Sequence, residues 1–453
     1  MKTSELFLFI IEMSMGVWIM DPRTRFIVSL VVVAIVSASV GALATYYMVG
    51  GGPIGAAPKK IKAAWIYVGP IGDIGWTYAH DYGRRYVADK FSDWLVTAYS
   101  ESVTAEDFST YVSQYIQEGY NVIFATSFEF LEPSYTLANQ YPNVLFFHCS
   151  GWDIYLPGDQ PSNLGFYFAE FYQLYYLNGL MAGALTKTGK IGYVAAHYIP
   201  EVVRHINAYA LGALEAAKYL GKNITIYVTK IGAWYAPDTA RSLASQLVSN
   251  YGVDVIAFTE DSYAIVQFCQ EQFEAGNPVY TFSHYSPMYE YGPNVTVSGQ
   301  LVHWEVIYED ILSKVYTGTY NKDNLKDKVD YWWMLREGAV ELGADFGMPI
   351  NPNFIPVLQN ITFEIDEKLE AELKAFGMED VIKVEDGKKY ISIYDLVILR
   401  LNEMKEESSV FDPFTGPIYD NEGNLRVPAG VRMNRYELWT IDWFVSNIVN
   451  LAS

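Results

Sequence analysis

The chain has 453 residues, 31 of them basic and 52 acidic, for a formal net charge of −21 at pH 7. That balance argues against nucleic acid and anionic membrane surfaces as partners, and the length calls for two core-bearing lobes plus a tail rather than one domain. Two cysteines, Cys149 closing an apolar strand and Cys269 in a helical pattern, read as buried free thiols and leave no cysteine-based metal site.

The first element in chain order is apolar. Residues 26–48 carry no charged side chain, and as a helix they would span roughly 35 Å at about 1.5 Å per residue, enough for a hydrocarbon core. Arg23 and Arg25 precede this run, and no Lys or Arg follows before Lys59. The positive-inside rule therefore puts 1–25 in the cytoplasm and the main body outside the cell. A cleaved signal peptide is the competing reading, but its apolar section is usually about 7–15 residues, so an uncleaved single-pass anchor is expected. A start at Met20 would give this anchor a conventional charged lead-in. Glycines and prolines between 49 and 60 mark a flexible linker.

Residues 62–68 have the composition of a strand covered on both faces, and Gly69, Pro70, Gly72 and Gly75 stop it. A helix over about 77–91 follows, so Asp73, Trp76 and Thr77 stand at the carboxyl end of a strand, where open α/β sheets place ligands. Further strands are expected near 94–98, 121–126, 144–148, 191–196, 224–228, 253–259 and 279–282, with helical patterns between most of them. That rhythm builds βαβ units and predicts an α/β fold of two Rossmann-like lobes with parallel sheets. The helix predicted over 169–187 repeats Phe171, Leu174, Tyr175, Leu177, Leu180, Met181 and Leu185 on a core-facing pattern, with Gly179 and Gly183 permitting close helix contact. The expected division is lobe one at 61–178, lobe two at 179–300, crossover segments at 301–345 and a C-terminal extension at 346–453. Within the extension, the charged, helix-rich patch at 363–409 reads as a surface elaboration. Asn223, Asn294 and Asn360 each open an Asn-x-Thr glycosylation pattern.

No Walker phosphate loop, His-Glu-x-x-His or Gly-x-Ser-x-Gly motif is present, and Gly69, Gly72 and Gly75 lack dinucleotide-binding spacing. No cofactor and no metal are expected. The carboxylates Asp73, Glu129, Glu260 and Asp261 could serve glycoside or nucleoside hydrolysis, yet each lies where it would equally cap a helix or hold a ligand, so binding without catalysis is the stronger reading. The strand ends collect Asp73, Trp76 and Thr77; Ser127, Phe128 and Glu129; Asp261; His284 and Tyr285; and Trp304. Flat rings with a few hydrogen-bonding groups suit a planar heterocyclic ligand. With 37 tyrosines and 11 tryptophans in the chain, any one ring is more often packing than pocket.

The loop Asp73-Ile74-Gly75-Trp76-Thr77 resembles the opening motif of the basic membrane protein (BMP/Med) family of ABC-transporter substrate-binding proteins. The blocks Tyr176-Leu177-Asn178-Gly179 and Thr186-Lys187-Thr188-Gly189-Lys190-Ile191-Gly192-Tyr193-Val194 are similar to its central helix-to-strand region. The run from Ile199 through Asn207 to Ala213 is also characteristic. The end, Phe414-Thr415-Gly416-Pro417-Ile418-Tyr419-Asp420 with Asp442-Trp443-Phe444-Val445, resembles its closing signature. The resemblance implies a type I periplasmic-binding-protein fold hinged to close on a small solute and an ABC permease as partner. The implied solute is a nucleobase or purine nucleoside, with Asn207 added to the ligand-binding set. Nucleoside-binding relatives carry Ser-Phe-Asn where this chain has Gly75-Trp76-Thr77, a Med-type variant. The bacterial lipid-attachment cysteine is missing, and a peptide anchor would tether the protein instead, as in many archaeal binding proteins. A nucleoside-sensing ectodomain and, less favoured, a nucleoside hydrolase are the alternatives.

Overall fold

β1 (Ile61–Ile66) buries every residue except the partly covered Lys62, which suits an inner strand flanked on both sides. In the computed structural model, which describes residues 60–406 and 411–451, β1 lies between β2 (Leu95–Ser100) and β3 (Val122–Ala125). β4 (Leu145–Cys149), β5 (Leu164–Ala169) and β11 (Asp330–Trp333) extend this first sheet in the order β11-β5-β4-β3-β1-β2, with every pairing parallel. Helices α1 (Trp76–Lys90), α2 (Ala105–Gln117) and α3 (Leu131–Gln140) connect its strands. The anchor and flanking segments expected over 1–59 lie outside the described residues; among the described residues no helix is long and apolar enough to cross a membrane.

The second lobe begins with α4 (Tyr172–Leu185), all of whose residues are buried. The strand β5 occupies 164–169, so the helix predicted from 169 starts later than its apolar spacing suggested. A sheet of order β18-β7-β6-β8 follows, from β6 (Lys190–Ala195), β7 (Thr225–Lys230), β8 (Val255–Phe258) and β18 (Ile448–Asn450), again parallel throughout. A bridge from Val255 to Tyr280 leads to a three-stranded sheet, β9 (Thr281–Tyr285), β10 (Thr296–Val302) and the antiparallel β12 (Val340–Leu342). α5 (Pro200–Leu220), α6 (Pro237–Gln246) and α7 (Ala264–Glu274) cover these strands. α4 and α5 cross so closely that a side chain on Gly179 would overlap the Tyr209 carbonyl, and one on Gly212 the Tyr176 carbonyl.

The chain passes between lobes three times: from β5 into α4, from β10 into α8 (Trp304–Tyr316), and from β11 to β12. α8 returns to lobe one, where Gly83 of α1 packs against the backbone of Glu305 and His80 Nδ1 meets the Tyr308 hydroxyl at 2.6 Å. The segment read as a surface elaboration is tied more deeply into the molecule than its charge suggested. It contains a small antiparallel sheet of β13 (Thr362–Glu364), β15 (Lys388–Ser392) and β14 (Lys383–Glu385), together with α9 (Glu367–Ala375) and α10 (Ile393–Lys405). Ile393, Leu396, Val397 and Leu399 of α10 belong to the main core, and Arg400 pairs with Glu215 of α5 at 2.7 Å as well as with Glu372 and Glu403. A hairpin of β16 (Ile418–Tyr419) and β17 (Leu425–Val427) precedes β18. Cys149 and Cys269 are buried and unpaired.

Candidate functional site

Where the carboxyl ends of the two sets of strands face each other, the lobes leave a small cavity between them. Val68, Trp76, Phe128, Trp234 and Tyr285 form its apolar wall, and Ser127, Ser150, Glu201 and Asp261 its polar one. Lobe one contributes the loops after β1, β3 and β4. Lobe two contributes the first turn of α5, the loops after β7 and β8, and the end of β9.

Five residues expected from the sequence are thus brought together: Trp76, Ser127, Phe128, Asp261 and Tyr285. Asp73 is not at the wall. Its carboxylate accepts from the backbone N–H groups of Gly75, Thr77 and Tyr78 at 2.8, 2.9 and 2.9 Å, satisfying donors that the start of α1 leaves without intrahelical partners. Burial raises its pKa to about 6 against these bonds. Thr77 is fully buried in that same turn. Together they hold Trp76, whose indole N–H donates to the Thr126 carbonyl at 2.6 Å.

The structure corrects four further expectations. Trp304 is fully buried behind Trp76, with ring centroids 5.2 Å apart, and stacks on His80 at 4.2 Å; it backs the wall rather than forming it. His284 is likewise buried behind Tyr285, held by the Tyr175 hydroxyl at 3.1 Å and the Gln300 amide at 2.9 Å. Asn207 points to the C-terminal segment, where its amide donates to the Trp443 carbonyl at 2.8 Å and its oxygen accepts from Val445 N–H at 3.0 Å. Glu129 stands at the rim and accepts the indole N–H of Trp234 from the opposite lobe at 2.8 Å.

Sequence reasoning missed Val68, Ser150, Glu201 and Trp234. Ser150 and Trp234 follow the ends of β4 and β7, where the strand-end rule would have found them. Glu201 lies in the first turn of a helix, a position that looks like an ordinary helix-stabilising acid. Ile74, Ser150 and Tyr285 adopt positive φ of 60°, 64° and 60°. Such residues cost on the order of 1–3 kcal/mol each and cluster at sites where the surrounding structure fixes them.

The lobes meet tightly around the cavity. A Cβ on Gly75 would lie 2.7 Å from the Asp261 carbonyl oxygen. The Ser286 hydroxyl donates to the Gly75 carbonyl at 3.0 Å, and the Ser150 hydroxyl donates to Glu201 across the gap. This is a closed cleft.

Its electrostatics are one-sided. Burial pushes the Glu201 carboxyl up to about 7. Asp261 is pushed well above the usual carboxylate range, by burial first and then by Asp73, Glu260 and Glu201; its Oδ1 has no hydrogen-bond partner among the described residues. Behind the cavity, Glu170 accepts from Arg204 at 2.7 Å, from Tyr172 N–H at 2.9 Å, and meets His205 Nε2 at 2.9 Å. Burial raises the Glu170 pKa, but Arg204 and His205 outweigh it and leave the group below its ordinary value. Among the described residues no three His, Cys, Asp or Glu side chains converge to hold a metal ion.

Two parallel α/β lobes joined by three crossings and closed over a small cavity define a periplasmic-binding-protein-like architecture. A solute-binding protein of Aeropyrum pernix K1 has the same fold, with a TM-score of 0.56 at 15% identity over 78% of this chain and 87% of its own. Residues 60–382 match the model of the Bmp family, ABC transporter substrate-binding protein PnrA-like, and the chain belongs to this family of extracytoplasmic solute-binding proteins. A Haloferax volcanii protein named for glucose binding in ABC transport is 37% identical over 71% of this chain and 73% of its own length. A purine-binding protein of Brucella abortus is 27% identical over 89% and 96%.

Proposed function

We propose that the chain captures a nucleobase or purine nucleoside in the inter-lobe cavity, outside the cell and tethered by its own N-terminal helix, and presents it to an ABC permease. The observation that carries this reading is the composition of the cavity. Trp76, Phe128, Trp234 and Tyr285 offer faces and edges to a flat ring, while Asp261 and Glu201 accept from ring N–H or ribose hydroxyl groups. The purine-binding Brucella relative, aligned over nearly its whole length, points the same way. No catalysis is proposed, and inosine incubated with the protein should be recovered intact.

The second reading is a monosaccharide. It is favoured by the hydroxyls and carboxylates of Ser127, Ser150, Glu201 and Asp261 in the lining, which suit a polyhydroxylated ring, and by the name of the Haloferax relative. Calorimetric titration with adenine, adenosine, inosine, guanosine and glucose, together with mass spectrometry of any solute that co-purifies, separates the two. Saturable binding of at least one purine compound is expected. Glucose binding with no purine binding would overturn the proposal.

A further inference from the structure

We propose that Asp261 makes closure of the cleft conditional on a ligand that carries a hydrogen-bond donor and no negative charge. In the empty protein the carboxylates of the two lobes oppose closing, and an N–H or O–H of the ligand at Asp261 Oδ1 removes that opposition. The inference rests on the cleft being the solute site but not on the solute being a purine.

The argument begins with what the closed cleft brings together. Asp261 belongs to lobe two, and on closing its backbone comes against Gly75, at the start of α1 in lobe one. Asp73, two residues before Gly75, faces it from lobe one. Glu260 beside it in the chain, Glu201 from α5 and the Tyr285 phenol face it from lobe two. The Tyr235 phenol also feels the charges of Glu260 and Asp73. The Trp76 backbone N–H donates to the Asp261 carboxylate, and Oδ1 remains buried without a partner among the described residues. No Lys, Arg or His is among the nine lining residues. Arg204, whose charge acts on Glu201, is engaged with Glu170 through Nε, and His197 lies at the rim against Trp234, 4.7 Å between ring centroids.

Like charges drawn into a low-dielectric space repel strongly, and a buried acceptor without a donor is unfavourable. Three things relieve both problems: opening the cleft, binding a proton, or binding a donor. The elevated pKa of Asp261, Glu201 and Asp73 has the direction this geometry requires. A phosphorylated or carboxylated solute would add further negative charge and is excluded. Closure around the correct solute alone is what a permease needs to tell loaded from empty binding protein, since a ligand shifts such an equilibrium only by its differential interaction with the two states.

The test uses the ligand-free full-length chain in small-angle X-ray scattering. Wild type at pH 7.5 is expected to be open, with a larger radius of gyration than Asp261→Asn under the same conditions. Wild type itself should become more compact as pH falls to 5. Glu201→Gln should move in the same direction by a smaller amount, and it keeps the experiment decisive if Asp261→Asn folds poorly. In parallel, calorimetry compares adenosine with adenosine monophosphate and glucose with glucose 6-phosphate. Whichever parent compound binds, its phosphate should bind at least 100-fold more weakly to wild type. Absence of compaction in both variants and on acidification would overturn the inference, as would binding of a phosphate within tenfold of its parent. Binding of glucose but not adenosine sinks the purine reading and leaves this one standing; equal binding of adenosine and its monophosphate does the reverse.

Discussion

Asp261 in the cavity wall and Glu170 behind it are both buried carboxylates, and their surroundings give them opposite properties. Glu170 sits at the crossing from β5 into α4 and is met by a guanidinium, an imidazole and a backbone N–H. Asp261 sits where the lobes touch and is met mainly by other acids. Burial alone raises both; the partner decides which way the group finally goes. The crossing from β5 into α4 therefore favours an ionised carboxylate without a ligand, and the cleft does not.

The sharpest way to break this comparison is to remove the cation that pairs with Glu170. Arg204 is walled by Phe168, Trp332 and Trp439, with its guanidinium carbon 5.4, 5.0 and 4.8 Å from their ring centroids. Arg204→Met keeps much of that packing but strands the Glu170 charge. Breaking a buried pair from one side costs about 3–5 kcal/mol, so a loss of that order is expected in urea unfolding. The double variant Glu170→Gln, Arg204→Met should recover part of it. If Arg204→Met alone is as stable as wild type, Glu170 is not held ionised in the way the geometry indicates.

The cleft end predicts a pH dependence of opposite sign to the usual carboxylate case. Asp73 and Glu201 have folded pKa values of about 6 and about 7, above their ordinary values of 3.8 and 4.5, so between those limits the folded closed chain binds more protons than the unfolded one. Stability from these groups is fully present below about pH 4 and is lost as pH rises through about 6 and then about 7. Glu170 runs the other way, its contribution present above its unfolded pKa and lost on acidification. In thermal melts the midpoint should fall from pH 5.5 to 8, and Glu201→Gln should flatten that fall. A midpoint that rises over this range in wild type would contradict the assignment.

Next in size is the ligand wall. Trp76→Ala removes the indole that lines the cavity and rests against Trp304 and Tyr285. Affinity for the solute should drop by about 1–3 kcal/mol through lost stacking and buried area. Unchanged affinity by calorimetry would remove Trp76 from the site.

The parts of this arrangement that could be read from sequence are those fixed by local chemistry. β1, β3 and β4 are short apolar runs bounded by turn residues, and the rule that ligands gather at strand ends leads to Trp76, Ser127, Phe128, Asp261 and Tyr285. β5 was hidden because its Phe166-Tyr167-Phe168-Ala169 runs into the equally aromatic start of α4, and a continuous apolar run does not reveal its period. β11 pairs with β5 across a large sequence separation, Asp330 opposite Phe166, and nothing local in its four residues announces that. Glu201 and Asn207 show the limit of motif reasoning. Both lie in one recognisable block, but six residues along a helix at about 100° each turn the second side chain to a different face, so Glu201 lines the cavity and Asn207 fastens the C-terminal segment. Trp304 follows a strand end as Trp76 does, yet α8 turns back into lobe one and buries it.

The smallest effect should come from the rim, where Trp234 donates across the lobes to Glu129. Trp234→Phe keeps a ring over the cavity and deletes only that hydrogen bond. The pair is exposed to solvent, so the loss should be at most about 1 kcal/mol, below the effect of Trp76→Ala. The bond joins the two lobes and so belongs to the closed form alone. Its removal should speed ligand release by up to about fivefold while leaving association and unfolding stability nearly unchanged. Stopped-flow fluorescence separates the two rates. A slower association with normal release would mean that Trp234 meets the ligand in the open cleft.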